Sequence, residues 1–405
     1  MDSTAKTPKT NAAKSYSLIF HPQFFAVVFS HFITDMYVSQ RSIYLAYISG
    51  PLGMTNATLG LLTTIAVMAS GLSQPLFGWI SDKVGARKMI LFALVWITVI
   101  FAISVVAPLA AAPALLVLAN LGAGMYHPSG VAQATRIGKQ EFAGREATAA
   151  SYFFVFGQTG FFVGPLLGGL LLSQWGEMSL LVLLALAIPA ILFASSALKS
   201  LPTPAALATD APVYERRKTP VTAVVALITA TAFHAWINQN ISAFVPKQIA
   251  DLGYPASTYG ILASIFTLGS AFGTFFGGSL ADRFGKRWVI GLGLGGASLP
   301  LLFLGYIPFS FWWYLLLFMA GSLTGAAYSS LVVLGQRLAP GTSAMASGLV
   351  LGFVFSAGAA GAALTGILAD AQGFAPVYFL SAGLALMGGL LAKFVDDRPA
   401  LSISK

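Results

Sequence analysis

Apolar runs of about twenty residues follow one another along almost the whole chain, broken by short clusters of glycine, proline and charge, which is the spacing of helices that cross a bilayer. Twelve are predicted: Phe24 to Ile48, Ala57 to Ile80, Met89 to Val106, Ala114 to Ile137, Ala147 to Leu172 and Leu180 to Leu198, then Val221 to Ile249, Ser257 to Ala281, Val289 to Ile307, Trp312 to Leu338, Ala344 to Ala369 and Val377 to Phe394. The only long polar stretch inside the chain, Lys199 to Pro220, carries several prolines and the run Glu215-Arg-Arg-Lys218 and reads as a linker. The expected organisation is a polar tail over 1–20, a six-helix bundle over 21–198, the linker over 199–220, a second six-helix bundle over 221–395 and a tail over 396–405.

With 57% of residues hydrophobic and 9% charged, there is too little charge to cover a water-facing surface, and the expected fold class is an all-α membrane protein. The 42 glycines suit closely packed membrane helices rather than a membrane barrel. A net charge of +9 would suit a nucleic-acid partner, but the placement of the charge decides otherwise. Of the 22 Lys and Arg, only Arg41 and Lys247 fall outside the side that holds both termini and the loops after helices 2, 4, 6, 8 and 10. That basic side is expected to be cytoplasmic, and no folded soluble patch is left for nucleic acid. Cysteine is absent, which excludes disulfides and thiolate-held metals. Lys6, Lys9 and Lys14 precede a full-length apolar helix without a small-residue cleavage site, so a retained first span is expected rather than a removed signal peptide.

The chain also repeats itself. Gly78-Trp-Ile-Ser-Asp82-Lys-Val-Gly85-Ala-Arg87-Lys88 returns 200 residues later as Gly278-Ser-Leu-Ala-Asp282-Arg283-Phe-Gly285-Lys286-Arg287, and Gly53 and Gly60 return as Gly253 and Gly260. Each long copy lies between two apolar runs, so each is a tight charged loop whose glycines are expected to let helices and loop approach closely. Its aspartate suits a helix N-terminus or a neighbouring Arg, and its basic residues suit an anionic cytoplasmic surface. The loop resembles the signature loop between helices 2 and 3 of the major facilitator superfamily, and the second copy resembles that family's loop between helices 8 and 9. The resemblance implies two pseudo-symmetric six-helix bundles that rock about a central site, with Gly78, Asp82, Gly85, Arg87, Gly278, Asp282, Arg283, Gly285 and Arg287 as gating residues.

Polar groups inside spans are costly and point to a cavity. Helix 1 carries His31 and Asp35 at i, i+4, within bonding reach on one face, and helix 7 carries His234 and Asn238 at the same spacing, followed by Gln239 and Asn240. Asp35 is the natural proton carrier, the alternative being a structural carboxylate held by a neighbouring helix. His31 is either its titrating partner or a buried imidazole satisfied by Asp35 or a backbone carbonyl, and His234 is open in the same way. Arg41 suits either a clamp on an anionic substrate or a side chain that snorkels to the outer surface, while Lys247, beside Pro246, reads as a snorkelling anchor.

Helix 4 holds Tyr126-His127-Pro128-Ser129-Gly130. The proline frees a carbonyl, and His127 either enters the cavity at that break or bonds to the freed backbone. Helix 10 offers Tyr328 and Ser330 in the matching place. In helix 5, Gly157-Gln158-Thr-Gly160 is followed by Gly164-Pro165 and Gly168-Gly169, and the spacing from Gly160 resembles a motif found mainly in proton-driven antiporters of the superfamily. It is expected to form a kinked face of small residues, Gly160, Gly164, Pro165 and Gly168, that packs on a helix of the other half. Leu118 stands where many drug:proton antiporters carry Arg, so proton coupling must use other groups. Ser-His31-Phe-Ile-Thr-Asp35, Gln74-Pro75, Tyr126-His127-Pro128 with Arg136, and the helix-5 glycines together are similar to the fosmidomycin resistance subfamily of bacterial efflux proteins.

That resemblance implies a bacterial inner-membrane transporter that exports a small organic compound in exchange for protons. Asp35 and His31 would carry the proton, and Arg41, Tyr126, His127, Gln158, His234, Asn238, Asn240 and Tyr328 would line the substrate site. Uptake or exchange of a small organic anion, with Arg41 or His127 as counter-charge, is the alternative. An enzyme would need a nucleophile and base in reach. His127 and Ser129 do not share a helix face, and no H-E-x-x-H or G-x-S-x-G occurs. The expected partners are the bilayer, a small-molecule substrate and protons. No cofactor or metal is called for, and a monomer suffices because one chain supplies both halves.

Overall fold

The computed structural model describes residues 18–142, 146–199, 219–338 and 343–397, so most of both predicted tails and of the linker lies outside the described residues. Among the described residues there are twelve long helices and no strand. The first six are α1 (Pro22–Ser49), α2 (Asn56–Val84), α3 (Ala86–Val106), α4 (Ala112–Glu141), α5 (Glu146–Trp175) and α6 (Leu184–Ala197), the last entered through a 3-10 segment Glu177–Leu183. The second six are α7 (Val221–Asp251), α8 (Ala256–Phe284), α9 (Lys286–Tyr306), α10 (Trp312–Leu338), α11 (Ser343–Gln372) and α12 (Ala375–Leu391). Eleven spans, all but α1, are long and apolar enough to cross a membrane. With 28 residues α1 is long enough as well, but its His, Asp, Gln and Arg leave it short of that apolarity.

The two sets pack alike. In the first, α2 and α3 lie against α4 and α1 lies against α5; in the second, α8 and α9 lie against α10 and α7 lies against α11. The halves meet along α2 with α11, α5 with α8 and, less extensively, α1 with α7. Small residues set these seams, as expected where lipid supplies no hydrophobic drive and helices gain by close backbone contact. A Cβ at Gly60 would stand 2.6 Å from the Ala362 carbonyl oxygen, and one at Gly169 would stand 2.9 Å from the Gly260 Cα. The repeated pair Gly60 and Gly260 therefore serves the two seams in turn.

The signature loops are single-residue breaks between helices. Gly85 and Gly285 each take φ +95°, a region open to glycine, and their N–H groups close the preceding helices onto Ser81 (2.8 Å) and Ala281 (3.0 Å). Close approach does not explain the other glycines equally, because a Cβ at Gly278 would meet nothing within 4 Å. Contacts at both loops stay within their own halves. Arg87 donates to the Ser195 carbonyl in the last turn of α6 at 3.0 Å, Lys286 lies 3.6 Å from Asp282, and the Arg287 backbone N–H donates to Asp397 at 3.2 Å.

One expectation about α5 is corrected. The stripe Gly157, Gly160, Gly164 and Gly168 faces α1 of its own half: Cβ atoms there would run into His31, the Phe32 carbonyl, the Met36 carbonyl and Gln40. Gln40 in turn donates to the Gly164 carbonyl. The contact with the other half belongs to the adjacent strip, where the Pro165 carbonyl meets Gly260 and Gly169 meets Ala256. A helix presents one row to one neighbour, so a four-residue glycine row can serve only one of the two.

Candidate functional site

Three side chains from two helices converge in the first half. His31 and Asp35, one turn apart on α1, have Nε2 and Oδ2 3.1 Å apart, and His127 Nε2 reaches the other carboxylate oxygen at 3.2 Å. α4 runs on through Pro128, and His127 turns to Asp35 rather than to freed backbone. Asp35 and His31 are buried, and His127, whose side chain is 20% exposed, is the most accessible of the three. Room for the cluster comes from Gly157, where a Cβ would stand 2.5 Å from His31 Cε1 and 2.6 Å from Asp35 Oδ2.

The sequence left open a backbone carbonyl as a partner for His31, and the structure identifies it as that of Phe153, whose ring His31 also meets. Its ring stacks on Phe153 at 3.8 Å between centroids, and its Nδ1 lies 2.7 Å from the Phe153 carbonyl oxygen. The available signal was the α5 glycine row, which continues to Gly157, one turn beyond Phe153. A carbonyl only accepts, so Nδ1 carries a hydrogen. In neutral His31 the Nε2 lone pair would then face a carboxylate lone pair at 3.1 Å, and the contact requires a proton between them. The geometry thus belongs to a cluster holding one proton more than an ionised Asp35 with two neutral imidazoles, carried either as His31 imidazolium or on Asp35. His31 Nε2, His127 Nε2 and a carboxylate oxygen are also a set that could hold a metal ion, all within 4.8 Å. The 3.1 Å contact to Oδ2 and the 3.2 Å contact to Oδ1 are hydrogen-bond distances.

The second half contributes a looser group. Tyr328 stacks on His234 at 5.4 Å between centroids, and Asn238 donates to the His234 carbonyl at 3.0 Å and lies 3.2 Å from its Nε2. Tyr328 on α10 lies within electrostatic range of Asp35 on α1. Gln158, next to Gly157, is half-buried.

Other predicted substrate residues are placed elsewhere. Tyr126 is fully buried, stacks on His31 at 5.7 Å and donates its hydroxyl to the Val27 carbonyl, so it packs the cluster from behind. Asn240 turns to α12, where it donates to Ser381 at 3.1 Å, about 200° around α7 from Asn238. Lys247 does not snorkel: it is 5% exposed and pairs with Asp251. Arg41 does not reach the outer surface either, being 7% exposed.

The chain matches the family model described as Major Facilitator Superfamily over residues 24–234 and 227–405. It is 27% identical to the fosmidomycin resistance protein of Escherichia coli (strain K12) over 390 residues, 92% of each chain, and 28% identical to the uncharacterized MFS-type transporter YfnC of Bacillus subtilis (strain 168) over 403 residues, 93% of this chain and 94% of that one. Among solved structures, a D-xylose-proton symporter superposes with a TM-score of 0.72 at 15% identity, covering 94% of this chain and 98% of that one, a likeness of fold. Repeated bundles, repeated signature loops and a match over nearly the whole length lead to one conclusion: this chain is a member of the major facilitator superfamily of membrane transporters.

Proposed function

We propose that this transporter exports a small organic compound in exchange for protons, with both termini and the signature loops on the cytoplasmic side of a bacterial inner membrane. The observation that carries the reading is the geometry at His31, whose Nε2 lies 3.1 Å from the Asp35 carboxylate while its Nδ1 lies 2.7 Å from the Phe153 carbonyl oxygen, an arrangement that calls for a proton between His31 and Asp35. A buried carboxylate between two imidazoles forms a neutral cluster when the proton is bound and keeps a hydrogen bond from His127 when the proton leaves, which is what a carrier needs. His127, half-buried on the same carboxylate, is the path by which a proton or a substrate group reaches it. His234, Asn238, Tyr328 and Gln158 complete the walls of the central site, and the chain works as a monomer because both halves are present. The similarity to a fosmidomycin resistance protein supports export as the direction.

The test uses everted membrane vesicles carrying an interior-acid gradient and a pH-sensitive dye, with fosmidomycin as the first compound added. Compound-dependent collapse of the gradient is expected for the native chain, and none for Asp35→Asn, while compound exchange without a gradient persists in that variant. Full gradient-driven transport by Asp35→Asn would remove Asp35 from the mechanism.

A further inference from the structure

Among the described residues, Arg41 is a deep cation that the proposed proton cycle does not use and that has no carboxylate partner. It lies six residues beyond Asp35 on α1, about 9 Å further along the helix axis and away from the signature loops. It is 7% exposed, its Nε and Nη1 are buried with no hydrogen bond, and among the described residues no carboxylate pairs with it. The other cation at this end of the spans, Lys247, is buried to the same degree and is neutralised by Asp251. Burying a guanidinium unpaired is strongly unfavourable, so a group left in that condition is held for a charge that arrives with a ligand. Its place on α1 agrees. The face carrying Asp35, Ser39 and Gln40 is covered by α5, and Tyr37 packs on Phe101 of α3. Along this stretch the accessible positions are Val38 and Ser42, three before and one after Arg41, on a helix ringed by protein.

A planar guanidinium with free N–H groups matches a phosphonate, phosphate or carboxylate. A ligand bearing only negative charge would, however, strengthen proton binding at the cluster about 9 Å away and would travel with the proton, not against it. The titratable groups near Asp35 are His31 on α1, Tyr126 and His127 on α4 and Tyr328 on α10, while α5 presents Gly157 and Gly160, so no further charge intervenes to reverse that sign. Exchange requires the far end of the ligand to be a cation or strong donor that displaces the proton.

We propose that Arg41 binds the anionic group of the transported molecule and that this molecule is amphoteric, its cationic or donor end lying toward His127 and Asp35. The inference rests on the exchange reading above and deepens it by naming the substrate class.

The full chain in detergent is titrated with 3-aminopropylphosphonate and 5-aminopentylphosphonate, with propylphosphonate and propylamine as single-charge probes, reading melting temperature and proton release in weak buffer. At least one amphoteric probe is expected to raise the melting temperature at about 10 mM and to release protons. Arg41→Gln should weaken binding about tenfold or more, Arg41→Lys should weaken it less, and Asp35→Asn should bind without proton release. If Arg41→Gln does not yield folded protein, Arg41→Lys, which keeps the charge without the fork, carries the comparison. The proposal is overturned by amphoteric binding that Arg41 variants leave unchanged, by no binding of either amphoteric probe, or by propylphosphonate binding equally well with proton uptake. The vesicle assay on Asp35→Asn reports separately on proton exchange, so either idea can fail alone.

Discussion

The carboxylate of Asp370 accepts the backbone N–H of Asn56 at 2.7 Å and, with its other oxygen, that of Ala57 at 2.8 Å. The end of α11 in one half thereby caps the start of α2 in the other, at the face away from the signature loops. Beside this cap a Cβ at Gly366 would stand 2.5 Å from the Asn56 carbonyl oxygen, and Thr64 donates to the Ala359 carbonyl. A charged cap across a seam holds that seam shut, and it must break whenever the halves part on this side. Replacing a cap by Ala costs about 1 kcal/mol, or about fivefold in a conformational equilibrium. Asp370→Ala should therefore widen the distance between spin labels at Thr58→Cys and Ile367→Cys, which the cysteine-free chain permits without background. An unchanged distance distribution would count against the cap as a latch.

The proton count at His31 is open to direct measurement. In protein labelled with nitrogen-15 histidine, the His31 signal in this conformation should show a protonated Nδ1 and never the neutral tautomer with hydrogen on Nε2 alone, because the Phe153 carbonyl accepts only from Nδ1–H. In Asp35→Asn the side-chain amide can donate to Nε2, so His31 should become a neutral imidazole with no extra proton. Observation of an Nε2–H-only tautomer in the native chain would mean the Phe153 contact is not a hydrogen bond.

Neighbouring glycines at the end of α8 should respond differently to one methyl group. At Gly277 a Cβ would lie 2.5 Å from the Ala326 carbonyl oxygen and 2.6 Å from its Cα, both backbone, whereas at Gly278 nothing lies within 4 Å. Gly277→Ala should separate α8 from α10 and cost about 1–3 kcal/mol, read as a lower melting temperature. Gly278→Ala should leave the melting temperature unchanged or raise it slightly, since Ala is favoured over Gly inside a helix by about 0.5–1 kcal/mol.

Tyr126 should behave as a packing residue. Tyr126→Phe keeps the ring behind His31 and removes the bond to Val27, for about 0.5–1.5 kcal/mol of stability. Its KM for a transported compound should stay at the native value. A large change in KM with unaltered stability would return Tyr126 to the substrate site.

The order of spans, the duplication and the asymmetry of basic residues were legible along the chain because each is a one-dimensional consequence of hydrocarbon thickness and of helix length. Asp35 and His31 were legible for a related reason: a carboxylate and an imidazole one turn apart in an apolar run are too costly in lipid to stand there unless they meet each other or water. The partner of a given helix face is different. The glycines at Gly160, Gly164 and Gly168 announce a close neighbour without naming it, and only the packed bundle shows that α1 takes that row while Pro165 and Gly169 meet α8. Likewise Asn238 and Asn240 are two residues apart in sequence yet point toward His234 and Ser381, on opposite sides of α7.

The amino-acid sequence alone determined that this protein is a bundle of membrane helices in two related halves with a sparse set of buried ionisable groups, since burial of apolar length and the cost of charge in lipid depend on local composition. Tertiary structure alone decided which of those groups meet: His127 comes to Asp35 from 92 residues away, the Phe153 carbonyl sets the tautomer of His31, and Arg41 is left with no opposite charge among the described residues. Hydrogen bonds and ion pairs act over a few ångströms, and distances of that size between helices are set by how the helices pack.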